Sequence, residues 1–243
     1  MKKYMLTNKT IKTNGRTLHR IVALRDFGDV KAGDLGGYIE NEENLSHEGN
    51  CWVADDAQVF ENATVFCDAQ IYEEAKVYGN ARVYNDAKVY GNAQVYDHAD
   101  IKEDSEVYEN AKVYGNAELF SMAEVCGNAQ VYGNACVFGS VCDDAKVYGV
   151  CTIYEHSYID RDAEIGGYND YGTVNGFGPD GRSTISFFKT NSGNIRVYEI
   201  GGFDGTLEEY ENETMEIKDN RFRRQNEIII EHLSIKRLIR NFP

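Results

Sequence analysis

The chain of 243 residues is long enough to bury a sizeable core in one or two domains. It carries 40 acidic and 25 basic residues, a net charge of −15, which excludes the positive footprint of a general nucleic-acid binder. No stretch of about eighteen apolar residues occurs, so neither a transmembrane helix nor a membrane partner is expected. The opening MKKYMLTNKT lacks the apolar run and cleavage site of a signal peptide, and six cysteines without paired spacing point to reduced thiols in the cytoplasm.

Residues 1–50 come first and read as a β cap. IKTNGRTLHRIVAL predicts a hairpin with Asn14-Gly15 as a type I′ turn. GDVKAGDLGGYIE then leads to NLSHEGNCWV, where Trp52 is placed to cover the first coil of a repeat.

Residues 51–167 carry that repeat. AKVYGN, ARVYND, AKVYGN and AQVYDH run consecutively from Ala75. An aliphatic residue recurs every six positions from Val53 to Val137, and a small residue, usually alanine, leads each by two. A period of six suits neither an α-helix nor an isolated hairpin. It suits a short strand plus a corner, three of which close a triangular coil. The predicted fold is therefore mainly β, a left-handed parallel β-helix of hexapeptide repeats with six or seven coils, roughly 30 Å long at the usual strand spacing. Gly-Asn pairs such as Gly79-Asn80 are expected to supply positive φ at the corners. The segment 51–165 holds seven Lys and Arg against 21 Asp and Glu, so the acid sits on the repeat.

The register slips once. After Val137 the inward positions fall at Val141, Val147, Ile153, Ile159 and Ile165, so the hexad VFGS is two residues short. The residue after each inward position is usually aromatic, and every third hexad shares a face. One face should stack Phe60, Tyr78, Tyr96, Tyr114 and Tyr132, a second Tyr72, Tyr90 and Tyr108, and a third Phe66, Tyr84, Phe120 and Phe138, interrupted by Lys102. Such rows either stiffen the stack or form a subunit interface; Tyr78, Tyr96, Tyr114 and Tyr132 are the candidate interface.

Residues 168–243 change composition and predict a linker and a small α+β module. GGYNDYGTVNGFGPDG reads as a linker or long loop, STISFFKTNSGNIRVYEIGG as a hairpin, and GTLEEYENETMEI as a helix with Thr206 as N-cap and Glu209 closing a capping box. NEIIIEHLSIKRLI is a strand or a helix.

Catalytic signals are sparse. An acyltransferase of this architecture needs a histidine base, and His98 and His156 are the candidates at coil corners. Cys126 and Cys142 occupy equivalent positions on neighbouring coils with Cys136 between them; without a histidine or a CxxC they read as free thiols, and no metal is expected. GFGPDG matches a dinucleotide fingerprint by letters only, and no cofactor is expected. Any ligand site should lie where the regular prism ends: at the slip around Gly139 to Asp144, around Trp52, or near the Gly-rich segment. There Arg182 and Arg196 could meet a phosphate or carboxylate, or could simply pair with acids such as Glu199.

The repeat resembles the left-handed β-helix of the trimeric hexapeptide-repeat superfamily, but places Tyr or Phe where those enzymes prefer small or acidic residues. RIVALRDFGDVKAGDLGGYIENEENLSHEGNCWVADDAQV, from Arg20, is similar to the opening of YdcK-like bacterial proteins, labelled transferases, and of many phage and prophage proteins. STISFFKTNSGNIRVYEIGGFDGTLEEY is similar to a small domain that ends many phage-encoded hexapeptide proteins. No catalytic residue is carried over. The leading expectation is a non-enzymatic binding or scaffold protein, phage- or prophage-encoded, homotrimeric, capturing a host protein or small signalling ligand. The alternative is an acyltransferase using acyl-coenzyme A, with His98 or His156 as base. A third option, an acidic DNA mimic, rests on the charge of the repeat alone.

Overall fold

The computed structural model describes residues 2–167, 170–177, 183–199, 202–218, 220 and 223–231. Its centre is a parallel β-helix of two-residue rungs on three faces, with the rungs of each face forming one sheet. On one face Val59, Val77, Val95, Val113 and Val131 pair coil to coil at a separation of 18 residues. These aliphatic residues are fully buried, and so are the alanines two positions before them. A β-branched side chain fills the width of the prism, and near the corner only a methyl group fits. Each buried valine is worth roughly 1.5–3 kcal/mol, so the array stabilises itself rung by rung. Where Ser105 replaces the alanine, its hydroxyl donates to the Lys102 carbonyl at 2.5 Å.

The corners differ from expectation in one respect. In the Gly-Asn pairs it is the glycine that takes positive φ, as at Gly79, Gly91, Gly115, Gly127 and Gly133. The asparagines instead form side-chain ladders, Asn62 to Asn80 at 3.1 Å and Asn116 to Asn134 at 3.1 Å. At many other corners the left-handed residue is an acid, including Asp55, Glu61, Glu73, Asp97, Glu103, Glu109 and Asp143. Its carboxylate accepts the backbone N–H of the left-handed residue one coil on: Glu61 from Gly79 at 2.9 Å, Glu73 from Gly91 at 2.8 Å, Glu109 from Gly127 at 2.7 Å. Much of the acidity of the repeat is therefore corner chemistry.

The N-terminal segment extends one face. β1 (Tyr4–Thr13) and β2 (Arg16–Ala23) form the expected hairpin, with Asn14 and Gly15 both at positive φ. β3 (Leu35–Ile39) pairs antiparallel with β2 and parallel with the rung Gln58–Val59. Ile39 stacks on Val59 and Leu45 on Val65, so the stack takes in both residues. Trp52 does not lie across the open end. It is a rung residue paired with Gln70, and its ring is covered edge-on by Phe27 (5.3 Å) and Tyr4 (6.3 Å). Gly36 leaves the room, since a Cβ there would sit 2.5 Å from the indole.

At the other end, the Gly-rich stretch expected as a linker contains a strand, β4 (Tyr171–Phe177). It pairs antiparallel with β5 (Ser183–Lys189), which pairs with β6 (Ile195–Glu199), and that with β7 (Asp204–Thr206). Gly172 belongs in this strand because the Phe187 ring lies 2.3 Å from where a Cβ would be. The helix α1 (Leu207–Glu216) begins with the Thr206–Glu209 capping box, and residues 223–231 are helical. The sheet docks on the last coils. Phe188 and Tyr171 enter the main core, the Tyr171 hydroxyl accepts from Tyr154 N at 2.7 Å, and Ala163 bridges to Thr190. No helix among the described residues is long and apolar enough to cross a membrane.

The expectation of six free thiols is also corrected. Cys126 and Cys142 form a disulfide with their Cα atoms 4.6 Å apart, because the short hexad still leaves them side by side on adjacent coils. Cys51, Cys67, Cys136 and Cys151 are free.

Candidate functional site

Two features stand out from the regular prism: a continuous aromatic face and a polar groove at one of its corners. On the face, ring centroids succeed one another at 5.0 Å (Phe60 to Tyr78), 4.9 Å (Tyr78 to Tyr96), 4.9 Å (Tyr96 to Tyr114), 4.9 Å (Tyr114 to Tyr132) and 5.3 Å (Tyr132 to Tyr148), all nearly parallel. The coil repeat sets this spacing, which offset-stacked rings accept. Tyr148 was missed from the sequence because the slip intervenes; counting 16 residues from Tyr132 finds it. Phe60 is buried with Leu18 and Tyr38, whereas the tyrosine rings from Tyr78 to Tyr148 are half-buried and present edges and hydroxyls. Tyr78 and Tyr114 donate to Gln94 (3.4 Å) and Gln130 (3.3 Å). Burial, neighbouring tyrosines and Asp97 push the Tyr96 phenol up to about 12.

Beside the rings runs a second column, one residue before each inward position: Gln58, Lys76, Gln94, Lys112, Gln130 and Lys146. The three lysines have no ion pair among the described residues. The next corner along the chain is uncharged in its upper part, at Gly115-Asn116 and Gly133-Asn134, whereas the corner preceding the face carries exposed Asp56, Glu73, Glu74, Glu109, Asp143 and Asp144. Along each coil the lysine column therefore lies next to the acidic corner, and the rings lie next to the uncharged one.

The third face explains its own break. Lys102 places its ammonium 3.9 Å from the Phe120 centroid, and 3.0 Å from Glu118, so a cation–π contact continues the column.

The groove, of about 360 Å³, is lined by Arg16, Glu40, Asn41, Glu61, Asn62 and Asn80. Arg16 crosses it, 2.8 Å from Glu40 and 3.3 Å from Glu61. His98 stands one coil above Asn80 in the same corner and interrupts the asparagine ladder between Asn80 and Asn116. It is exposed and makes no side-chain hydrogen bond among the described residues. His156 is exposed at positive φ on a different corner, three coils further on, so the fold does not bring the two histidines together.

Arg196 pairs with Asp204, which also binds Arg161 at 2.5 Å; Glu199 is not its partner. Arg182 lies outside the described residues. Among the described residues no group of three or more His, Cys, Asp or Glu side chains is arranged to hold a metal. One buried cation was not anticipated. Lys3 is fully buried, with Nζ 2.8 Å from the Cys51 carbonyl, 3.2 Å from its sulfur and 4.9 Å from the Phe27 centroid. Burial pulls its amine below the usual lysine range. Cys51 lies 48 residues away in sequence, so no local signal could have found it.

Two comparisons bear on this arrangement. The family described as YdcK Beta solenoid repeat matches residues 75–91 and 129–143. A relative from Escherichia coli (strain K12), named "Uncharacterized acetyltransferase YdcK", is 47% identical over 49 residues, 20% of this chain. The match spans 14% of that relative's length. With the stacked coils, these similarities fit a YdcK-like hexapeptide-repeat protein.

Proposed function

We propose that this YdcK-like solenoid is a non-enzymatic interaction scaffold that assembles with two further copies of itself through the tyrosine face. The observation that carries the reading is the unbroken column from Phe60 to Tyr148 flanked by unpaired Lys76, Lys112 and Lys146. Rows of partly exposed aromatic edges mark contact surfaces, and cations without an ion pair beside them favour an acidic counterpart. The complement is present on the same chain, in the acidic corner of Glu73, Glu74, Glu109, Asp143 and Asp144. Both columns rise by the same coil repeat, so the lysine column of one copy and the acidic corner of the next stay in step along the contact. A head-to-tail contact of this kind closes a ring on a three-sided prism. Reversing the charge of the lysine column tests it: Lys112→Glu with Lys146→Glu should shift the protein from trimer to monomer in light scattering while leaving its circular dichroism unchanged. Retention of the wild-type assembly would count against the reading.

The relative's name favours a second reading, acyl transfer from an acyl-coenzyme A. His98, above the Arg16 groove, is then the base. Calorimetry with acetyl-coenzyme A separates the two. Binding that weakens in His98→Ala supports transfer; no heat at millimolar ligand supports the scaffold.

A further inference from the structure

The second aromatic column changes character above Tyr108. Tyr72, Tyr90 and Tyr108 stack at 4.8 and 5.0 Å, and the next three positions in register are Cys126, Cys142 and Asp160. Cys126 N donates to the Val141 carbonyl at 3.0 Å and Cys142 N to the Ile159 carbonyl at 2.8 Å, so the register holds through the slip. The sulfurs of the first two positions meet in a disulfide. Asp160 is 7% exposed, and its Oδ1 is buried without a hydrogen-bond partner among the described residues. A carboxylate in that state is costly unless it is protonated or has chemistry to perform.

The groups facing Asp160 come from the coil below, from its own coil and from the docked sheet. They are the carboxylates of Asp143 and Asp204, the guanidiniums of Arg161 and Arg196, and Tyr158 stacked on Tyr198 at 4.7 Å. Both arginines are engaged by Asp204. Burial, helped by Asp204 and Asp143, raises the Asp160 carboxyl to about 6, where it can give and take a proton near neutral pH.

We propose that Cys126, Cys142 and Asp160 form a dithiol–disulfide exchange site, with small neutral dithiols as its reducing substrate and Asp160 as its proton relay. Cys126, at 9% exposure against 5% for Cys142, is the sulfur an incoming reagent reaches first. The dithiol, having lost one proton to water, attacks Cys126 Sγ as a thiolate. The Cys126–Cys142 bond breaks, its electron pair leaves on Cys142 Sγ, and protonated Asp160 gives that sulfur its proton. The second thiol of the reagent then attacks the mixed disulfide, closes its own ring, and its proton passes to the departing Cys126. Asp160 recovers a proton from water. Two electrons and two protons pass from dithiol to cysteine pair, and oxidation runs the same steps backwards. Glu109 and Asp143 on the adjoining corners disfavour anionic thiols, hence the neutral reagent.

The test uses the full chain and dithiothreitol with its oxidised form. Alkylation and peptide mass mapping should find Cys126 and Cys142 converting together, from one disulfide to two thiols. The reduction rate per unit of dithiothreitol thiolate should hold below about pH 6 and fall above it. Asp160→Asn should abolish that inflection and slow reduction at pH 5 by about tenfold or more. Two thiols that persist in the oxidised reagent would overturn the proposal, as would an inflection that survives in Asp160→Asn. If that variant does not fold, the wild-type profile decides, since a rate without an inflection near pH 6 removes the relay.

Discussion

At the scale of single residues, an inward and an outward neighbour on one rung should behave very differently. Val95 is fully buried between Val77 and Val113, and Tyr96 is half-buried between Tyr78 and Tyr114. Val95→Asp buries an unpaired charge and should lower stability by about 3 kcal/mol or more in urea unfolding. Tyr96→Ser loses two stacking contacts and should cost about 1–2 kcal/mol in the isolated subunit. Equal losses would mean that the ring is as deeply enclosed as the valine. Asp160 gives a pH-dependent prediction. Its carboxyl is raised in the folded chain, so its contribution to stability is full below about pH 4 and is lost as pH rises through about 6. Asp160→Asn should therefore raise the melting temperature at pH 8 relative to wild type and leave it nearly unchanged at pH 4. A loss at pH 8 would show that ionised Asp160 is held by its arginines. The raised carboxyl could not be read from the sequence. The burial of Asp160 depends on a sheet docked from residues 183–206, and nothing near position 160 announces it.

At the scale of elements, the slip leaves the backbone little room. Gly139 forms the shortened corner, and a Cβ there would lie 2.6 Å from the Tyr154 carbonyl and 2.7 Å from that of Ser157, both backbone atoms. Gly139→Ala should cost about 1–3 kcal/mol by overpacking. Gly167→Ala, whose Cβ would meet only an Asp170 carboxylate oxygen at 3.8 Å, should cost a few tenths at most. Thermal melts of the two variants make the comparison directly; similar melting temperatures would mean that the corner relaxes. Hexad spacing made the rungs, the faces and the slip legible, because each coil repeats one local rule. β4 was illegible for the opposite reason. Its glycines signal a loop by composition, yet Gly172 is in a strand to admit the Phe187 ring. Likewise, Arg16 reaches Glu40 and Glu61 only after β2 and β3 have paired, so the groove had no motif to betray it.

At the scale of the whole molecule, a β-helix has two vulnerable ends and three repetitive faces. The N-terminal hairpin continues one sheet beyond the first rungs, and the C-terminal sheet inserts Phe188 into the last coils, so both ends are occupied. Of the three faces, one carries an uninterrupted row of tyrosines with lysines that no acid of the described chain neutralises. The scaffold reading rests on that face meeting a second copy. The mass of the wild-type protein in solution tests it most directly. Size-exclusion chromatography with multi-angle light scattering at micromolar concentration should give three times the chain mass of 27.4 kDa. A single species at 27.4 kDa would contradict assembly through the tyrosine face.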